Sequence, residues 1–322
     1  MTVSNVWTDP SVGGALDLTD GDTPNAAGYY DLLASDLLSL GGTKGLLPVC
    51  EGRLTLTSGT PVTTADVTGA TTIYFTPYKG DRIALYSGTL WTTLTFTETS
   101  LALGTVTSGL PYDVFAYNNS GTLALEKLAW TNGTTRATAL TTQNGILVKS
   151  GDTTRRYLGT FYTTSTTQTE DSAARRLLWN YYHRKPKKLY AIDTGDYTYT
   201  TATWRAANNN TTDGVGRFAC VIGVSEDVVS VKKSANAENS NNAFHAIGIG
   251  IDSTSVNLAD MSPGNMNELA ERTALVTFYD SPLAVGYHYI QGLEYSVASG
   301  TTSWWGAGIG VNKSGMSGVI LC

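Results

Sequence analysis

From Glu51 onward, apolar side chains recur mainly at every second position, and only a β-strand places alternate residues on one face. The runs TTIYFTPY, DRIALYSGTLWTTLTF, YDVFAYNNSGTLALEKLAW and RRYLGTFYTT are short and rich in β-branched and aromatic residues, and Ser-Gly or Asn-Asn-Ser-Gly turns join them. In YDVFAY, Tyr112, Val114 and Ala116 fall on one side and Asp113, Phe115 and Tyr117 on the other. Both sides are mixed in character, so neither is expected to be fully solvated. These residues are expected to form a first β domain over 49–167, a sandwich or small barrel.

A second series of strand signals follows: DYTYTTATWRAA, GRFACVIGV, DVVSVKK, AFHAIGIGID, ALVTFYDSPL and YHYIQGLEYSVAS, separated by glycine and asparagine turns. A jelly-roll-like sandwich over 189–322 is expected. The fold class is therefore mainly β, with two hairpin-rich antiparallel domains. Between them, TQTEDSAARRLLWNYYHRKPKKLY interrupts the alternation with Pro186 among Arg175, Arg176, Arg184, Lys185, Lys187 and Lys188. Residues 168–188 read as a basic linker, with Leu177, Leu178 and Trp179 still able to reach a core. Its charges read as solvated, with an acidic neighbour or nucleic acid as the alternatives.

Residues 1–48 are expected to be an extended arm and one docking helix. In TPNAAGYYDLLASDLLSLGG, Thr23 stands as N-cap, Pro24 takes the first helical position, and Gly41-Gly42 is the stop. Tyr30, Leu33, Leu37 and Leu40 form its apolar face, which packs on its own domain or docks onto a neighbour.

Only 15% of residues are charged, against about 25% in an average protein, and the formal net charge is -6. This argues against general nucleic-acid binding and against a polybasic membrane surface. No stretch approaches the ~20 apolar residues of a membrane span, and MTVSNVWTDP does not pair a basic segment with an apolar one. The chain is expected to be made in a cytoplasm, without membrane partners. Cys50, Cys220 and Cys322 are widely spaced, form no CxxC pair and read as free thiols.

Reaction chemistry is hard to find. The histidines are His183, His245 and His288, and the last two sit in strand patterns beside Phe244 and Tyr287, where a structural role is expected. There is no GxSxG elbow and no GxxxxGK[ST] phosphate loop. Acidic residues such as Glu170, Asp171, Glu226, Asp227, Asp252, Asp280 and Glu294 are scattered through turn-like stretches. No catalytic residue, metal site or cofactor is expected.

Two features point to association instead. Trp304 and Trp305, adjacent in a strand, must face opposite sides, and with Tyr287, Tyr289 and Tyr295 they are a candidate interface or receptor surface. The ending VNKSGMSGVILC carries Ile320 and Leu321 and is expected to be a closing strand, packed into a sheet or laid against another copy. Gly248, Gly250, Gly308 and Gly310 alternate with apolar residues and are expected to permit close approach, by a crossing segment or by a copy.

The phrases FTPYKGDRIALYSGTLWTTLTF, YDVFAYNNSGTLALEKLAWTNGTTRATALTTQNGILVKSGDTTRRYLGTF, RRLLWNYYHRKPKKLY, YTYTTATWRAANNN and YHYIQGLEYSVASGTTSWWG together resemble a group of virion structural proteins of tailed bacteriophages and prophages. The resemblance spans about Glu51 to Cys322 and leaves the N-terminal arm uncovered. It implies a tail-fibre-like or head-fibre-like component of the virion, and taken with the apolar ending and the N-terminal helix the expectation is a trimer docked by its N-terminal region. Its partners would be capsid, collar or tail proteins and a host-surface glycan or protein. The alternatives are a decoration protein that clamps neighbouring virion proteins and a spike-type glycan hydrolase.

Overall fold

The computed structural model describes residues 49–262, 264–265, 271–308 and 313–322. The expected helix and its face of Tyr30, Leu33, Leu37 and Leu40 lie outside them. Among the described residues the chain is mainly β, and its strands form five sheets.

Two small sheets come first: Gly52–Thr55, Thr72–Pro77 and Thr99–Ala102, and the hairpin of Arg82–Tyr86 with Trp91–Thr95. A six-stranded sheet follows in the order Thr122–Ala129, Pro111–Asn119, Asp152–Tyr162, Ile146–Lys149 and Leu140–Gln143, with Leu178–Asn180 also paired to Asp152–Tyr162. The Asn-Asn-Ser-Gly turn closes its first hairpin. Asn119 pairs with Thr122, and Ser120 and Gly121 between them both take positive φ, as the two-residue turn compatible with strand twist requires.

The eight-stranded sheet runs Val67–Ala70, Thr169–Asp171, Arg175–Arg176, Arg217–Ile222, Gly286–Ser296, His245–Ile251 and Gly264–Asn265, with Arg205–Ala206 beside Gly286–Ser296. The last, which we call the outer sheet, runs Pro186–Ile192, Gly315–Leu321, Val228–Asn239, Thr302–Trp305 and Tyr197–Tyr199, with Thr273–Pro282 beside Val228–Asn239. Among the described strands, the pairing of Arg175–Arg176 with Arg217–Ile222 is parallel and the others are antiparallel.

The strand Pro111–Asn119 shows how the alternation is used. Tyr112, Val114 and Ala116 enter one core with Leu54, Phe75, Ile83 and Phe161. Phe115 enters a second core with Tyr157, Trp179, Leu189, Phe218, Val231, Met316 and Ile320. Both faces of this strand are therefore buried, as its mixed pattern predicts.

The second core draws on residues from both halves of the chain, and this alters the expected division. Residues 168–188 are not a linker: they supply Thr169–Asp171, Arg175–Arg176, Leu178–Asn180 and the start of Pro186–Ile192, and residues Pro48–Cys322 form one compact unit. Pro186 is the first residue of a strand at the edge of its sheet, a position where a missing N–H breaks no ladder.

The apolar ending also finds its cover within the chain. Gly315–Leu321 pairs on one side with Pro186–Ile192 and on the other with Val228–Asn239, so neither edge is left for another copy. Ile320 is buried, Leu321 partly so, and the Cys322 carbonyl accepts from the Lys185 N–H at 2.9 Å. Cys50, Cys220 and Cys322 are free and buried, and burial pushes the Cys50 thiol up to about 11 and that of Cys322 to about 12.

At Gly248, Gly250 and Gly308 the glycines permit close approach within the chain, while Gly310 lies outside the described residues. A Cβ on Gly250 would lie 2.3 Å from the Ser253 carbonyl oxygen, and one on Gly248 would meet the Asn257 side chain and the Trp204 ring.

Candidate functional site: an arginine and tyrosine cleft

The six expected basic residues do not act as one surface. Arg176 is buried, donates to the Lys188 carbonyl at 2.9 Å and pairs with Asp171 at 3.0 Å. Lys187, also buried, donates to the Thr63 carbonyl at 2.6 Å and lies 3.5 Å from Asp171. Arg184 pairs with Glu226 and Asp227, Lys185 lies over the Tyr78 ring, and Lys188 over the Tyr190 ring. Arg176, Arg184 and Lys187 thus find acidic partners on the same chain.

Arg175 differs, because it opens onto a cleft of about 210 Å³ lined by Ser108, Tyr162, Thr164, Asp213, Arg217 and Tyr287 among others. Each wall comes from a different part of the topology. Tyr162 ends Asp152–Tyr162, Tyr287 is the second residue of Gly286–Ser296, and Arg217 opens Arg217–Ile222. Asp213 bridges to Arg217 just before that strand begins.

Asp213 organises the cationic wall. Its Oδ2 accepts from Arg175 Nε at 2.7 Å and its Oδ1 from Arg217 Nε at 2.8 Å. Both carboxylate oxygens are spent on Nε groups, which leaves the terminal nitrogens of Arg217 without a hydrogen-bond partner among the described residues. Arg175 spends one terminal nitrogen on a long contact of 3.4 Å to Glu170, behind it. The Arg217 guanidinium also sits 4.7 Å over the Tyr289 ring, which fixes its plane.

Tyr162 and Tyr287 make the aromatic wall, stacked with ring centres 4.1 Å apart and planes 18° from parallel. Burial raises both phenols above their ordinary value, that of Tyr287 to about 12, so at neutral pH each presents a neutral hydroxyl. The cleft therefore offers guanidinium donors and hydroxyls to a ligand, while its carboxylate is occupied.

The expected aromatic surface does not assemble. Trp304 is buried within its own chain, against Tyr197 and the edge of His245. Trp305 faces the other side of the outer sheet, where the Arg272 guanidinium lies 3.7 Å over its ring. Tyr295 packs with Trp204 and Phe244 on the eight-stranded sheet. Among the described residues, Tyr287 and Arg175 are the expected ones that meet in the cleft. Tyr162, Asp213 and Arg217 were not singled out by the sequence, where they stand in an ordinary strand end and an Asp-Gly turn.

Other titratable groups inside the fold hold it together. Glu294 is fully buried and accepts from Arg205 Nε at 2.6 Å. Lys233 lies nearby, its amine lowered by burial against the opposing pull of Glu294 and Asp193, beside a cavity of about 20 Å³ that suits one water.

His288 presents both ring nitrogens to acceptors, Nδ1 to Asp252 Oδ2 at 2.7 Å and Nε2 to the Ala284 carbonyl at 2.8 Å. Only the imidazolium can donate to both. Burial lowers its pKa, but the Asp252 hydrogen bond and charge outweigh it, so the folded value is raised above 6.5. A raised folded pKa contributes stability that is fully present below the unfolded value and is lost as pH rises through the folded one. As pH rises from below 6.5 through the raised folded value, the urea midpoint should therefore fall by more in the native chain than in His288→Gln. Parallel midpoint curves would remove this role.

The chain matches no protein-family model and no curated protein. Among solved structures it is similar to that of infectious bursal disease virus Gt strain, with 11% identity over 89% of this chain and 77% of that one, at a TM-score of 0.28. It is also similar to the Cry4Aa toxin from Bacillus thuringiensis, at 10% identity, 80% and 51% coverage and a TM-score of 0.22. A β-porphyranase from Bacteroides plebeius gives 9% identity, 81% and 35% coverage and a TM-score of 0.21. Scores this low assign neither a fold family nor an activity, and the chain spans only about half of the Cry4Aa chain and a third of the porphyranase.

Proposed function

We propose that this chain is a non-enzymatic structural component of a tailed-phage particle, tail-fibre-like or head-fibre-like, that assembles with copies of itself as a trimer. The resemblance of its strand phrases to virion proteins supports the particle. The observation that carries the assembly is the outward face of the outer sheet.

Antiparallel partners point the same way, so the register places Lys188, Val319, Ser230 and Asp280 in one row and Tyr190, Ser317, Lys232 and Phe278 in the next. Ile192, Gly315, Ser234 and Val276 form the third. A solvated sheet face is normally polar, yet here Val228, Val276, Phe278 and Val319 are 36–50% exposed and Met261, bridged to Phe278, is 60% exposed. An apolar patch of this kind marks an interaction surface. Its first row carries Lys188 near one edge and Asp280 near the other, both exposed. Opposite charges at opposite edges allow a head-to-tail contact between copies, the type that closes rings.

Light scattering of the native chain should give a multiple of 34.2 kDa. Phe278→Glu with Val319→Glu should weaken that association at least about tenfold, while urea stability changes by only about 0.5 kcal/mol per site, as for other exposed positions. The same variant should fail to enter particles. A native monomer, or a variant that assembles and is incorporated normally, would count against the reading.

A further inference from the structure

We propose that the cleft between Tyr162 and Arg217 binds a carboxylate-bearing monosaccharide unit, such as a uronic acid at the end of an acidic glycan. The inference does not depend on the particle assignment, because it rests on the cleft alone.

Three features of the cleft define the ligand. Its volume of about 210 Å³ is below the ~300 Å³ at which drug-sized sites begin, so it suits a single sugar ring. Its cationic wall is built for a planar anion. Asp213 holds two guanidiniums by their Nε groups, and the unspent terminal nitrogens of Arg217 make the fork that grips a carboxylate by two parallel hydrogen bonds. The guanidinium's stacking over Tyr289 holds that fork in place before a ligand arrives, which reduces the ordering cost of binding.

The third feature separates a sugar from a simple anion or an acidic peptide. Beside Gly109 and Leu177, the rest of the lining consists of the hydroxyl-bearing residues Ser108, Tyr162, Thr163, Thr164 and Tyr287, two of them the stacked rings. Neutral hydroxyls that both donate and accept match the ring hydroxyls of a sugar, whereas a glutamate side chain would leave them facing methylene groups. Of the charged lining groups, Arg175 and Arg217 outweigh Asp213 by one positive charge, and Glu170 stands behind Arg175 with its own partners, Ser172 and Arg175. The carboxylate of the ligand would supply the balancing charge.

The test uses the full chain and four probes followed by saturation-transfer NMR: methyl glucuronide, methyl glucoside, acetate and N-acetylglutamate amide. Methyl glucuronide should bind saturably and at least about tenfold more tightly than each of the others. Arg217→Met should remove that preference. Because Arg217 also holds the Asp213 turn, Ser108→Trp serves as the second variant: Ser108 is exposed in a turn, and an indole there should block the cleft without replacing either arginine. Equal binding of glucuronide and glucoside would overturn the role of the fork. Acetate binding as tightly as glucuronide would reduce the site to an anion site, and tighter binding of the glutamate probe would assign it to an acidic peptide. Saturation by no probe, or glucuronide binding that survives Ser108→Trp, would overturn the proposal.

Discussion

Asp113→Ala should destabilise the chain by about 3–5 kcal/mol, measured by urea unfolding, because it leaves a buried guanidinium without its counter-charge. Asp113 lies on the side of its strand that enters the second core, and its side chain is 2% exposed. Burial pushes its carboxyl up, and Arg136 opposes that with a two-pronged contact, Nε to Oδ2 at 2.7 Å and a terminal nitrogen to Oδ1 at 3.2 Å. Thr160 donates to Oδ1 at 2.7 Å, and the Tyr157 hydroxyl lies 2.6 Å from that of Thr160. Arg136 continues across the core, donating to the Gly223 carbonyl at 2.7 Å and stacking 4.4 Å from the Trp130 ring. The single deletion thus removes one member of a network that ties residue 113 to residue 223. Replacing both charges by apolar residues, Asp113→Leu with Arg136→Met, should recover most of the loss, since no unpaired charge then remains. A double variant as unstable as the sum of the two single ones would show that the pair is not coupled.

This network marks the limit of what the sequence shows. Local periodicity made the strands legible: the two faces of YDVFAY lead to two cores, and Trp304 and Trp305 face opposite sides of a sheet as their adjacency requires. Turn chemistry was legible for the same reason, since Ser120 and Gly121 decide their φ angles within four residues. What was not legible depends on long-range register. Asp113 looks like an ordinary polar position in a strand until Arg136 and Thr160 are brought to it. Arg176 and Lys187 read as solvated linker charges because their acceptors, Asp171, the Lys188 carbonyl and Thr63, become partners only once the strands pair. Pro186 suggested a break because a proline inside a central strand would be one, and only the sheet order reveals that its strand is at an edge. The cleft is the extreme case: Tyr162, Arg175, Asp213 and Tyr287 span more than a hundred residues and share no spacing a motif could capture.

Trp179→Ala should cost about 3–5 kcal/mol, the range for deleting a large buried aromatic side chain, and the form of the loss tests how the chain is divided. Trp179 is 1% exposed and belongs to the second core, which it shares with Phe115 and Tyr157 from the first half and Leu189, Phe218 and Ile320 from the second. The Arg184 guanidinium is 5.2 Å from its ring, and a Cβ on Gly223 would lie 2.4 Å from it, so the neighbouring backbone is already pressed against the indole. A cavity there cannot close by a small shift of one side chain. If residues Pro48–Cys322 unfold as the single unit that this core implies, calorimetry should show one transition, lowered as a whole by about 10 °C in the variant. Two domains joined by a linker would behave differently: the native chain would melt in two steps, and the substitution would shift one of them and leave the other in place. One shared transition follows from the packing of Trp179, since the same indole is a core residue for strands on both sides of the segment that the sequence alone reads as a boundary.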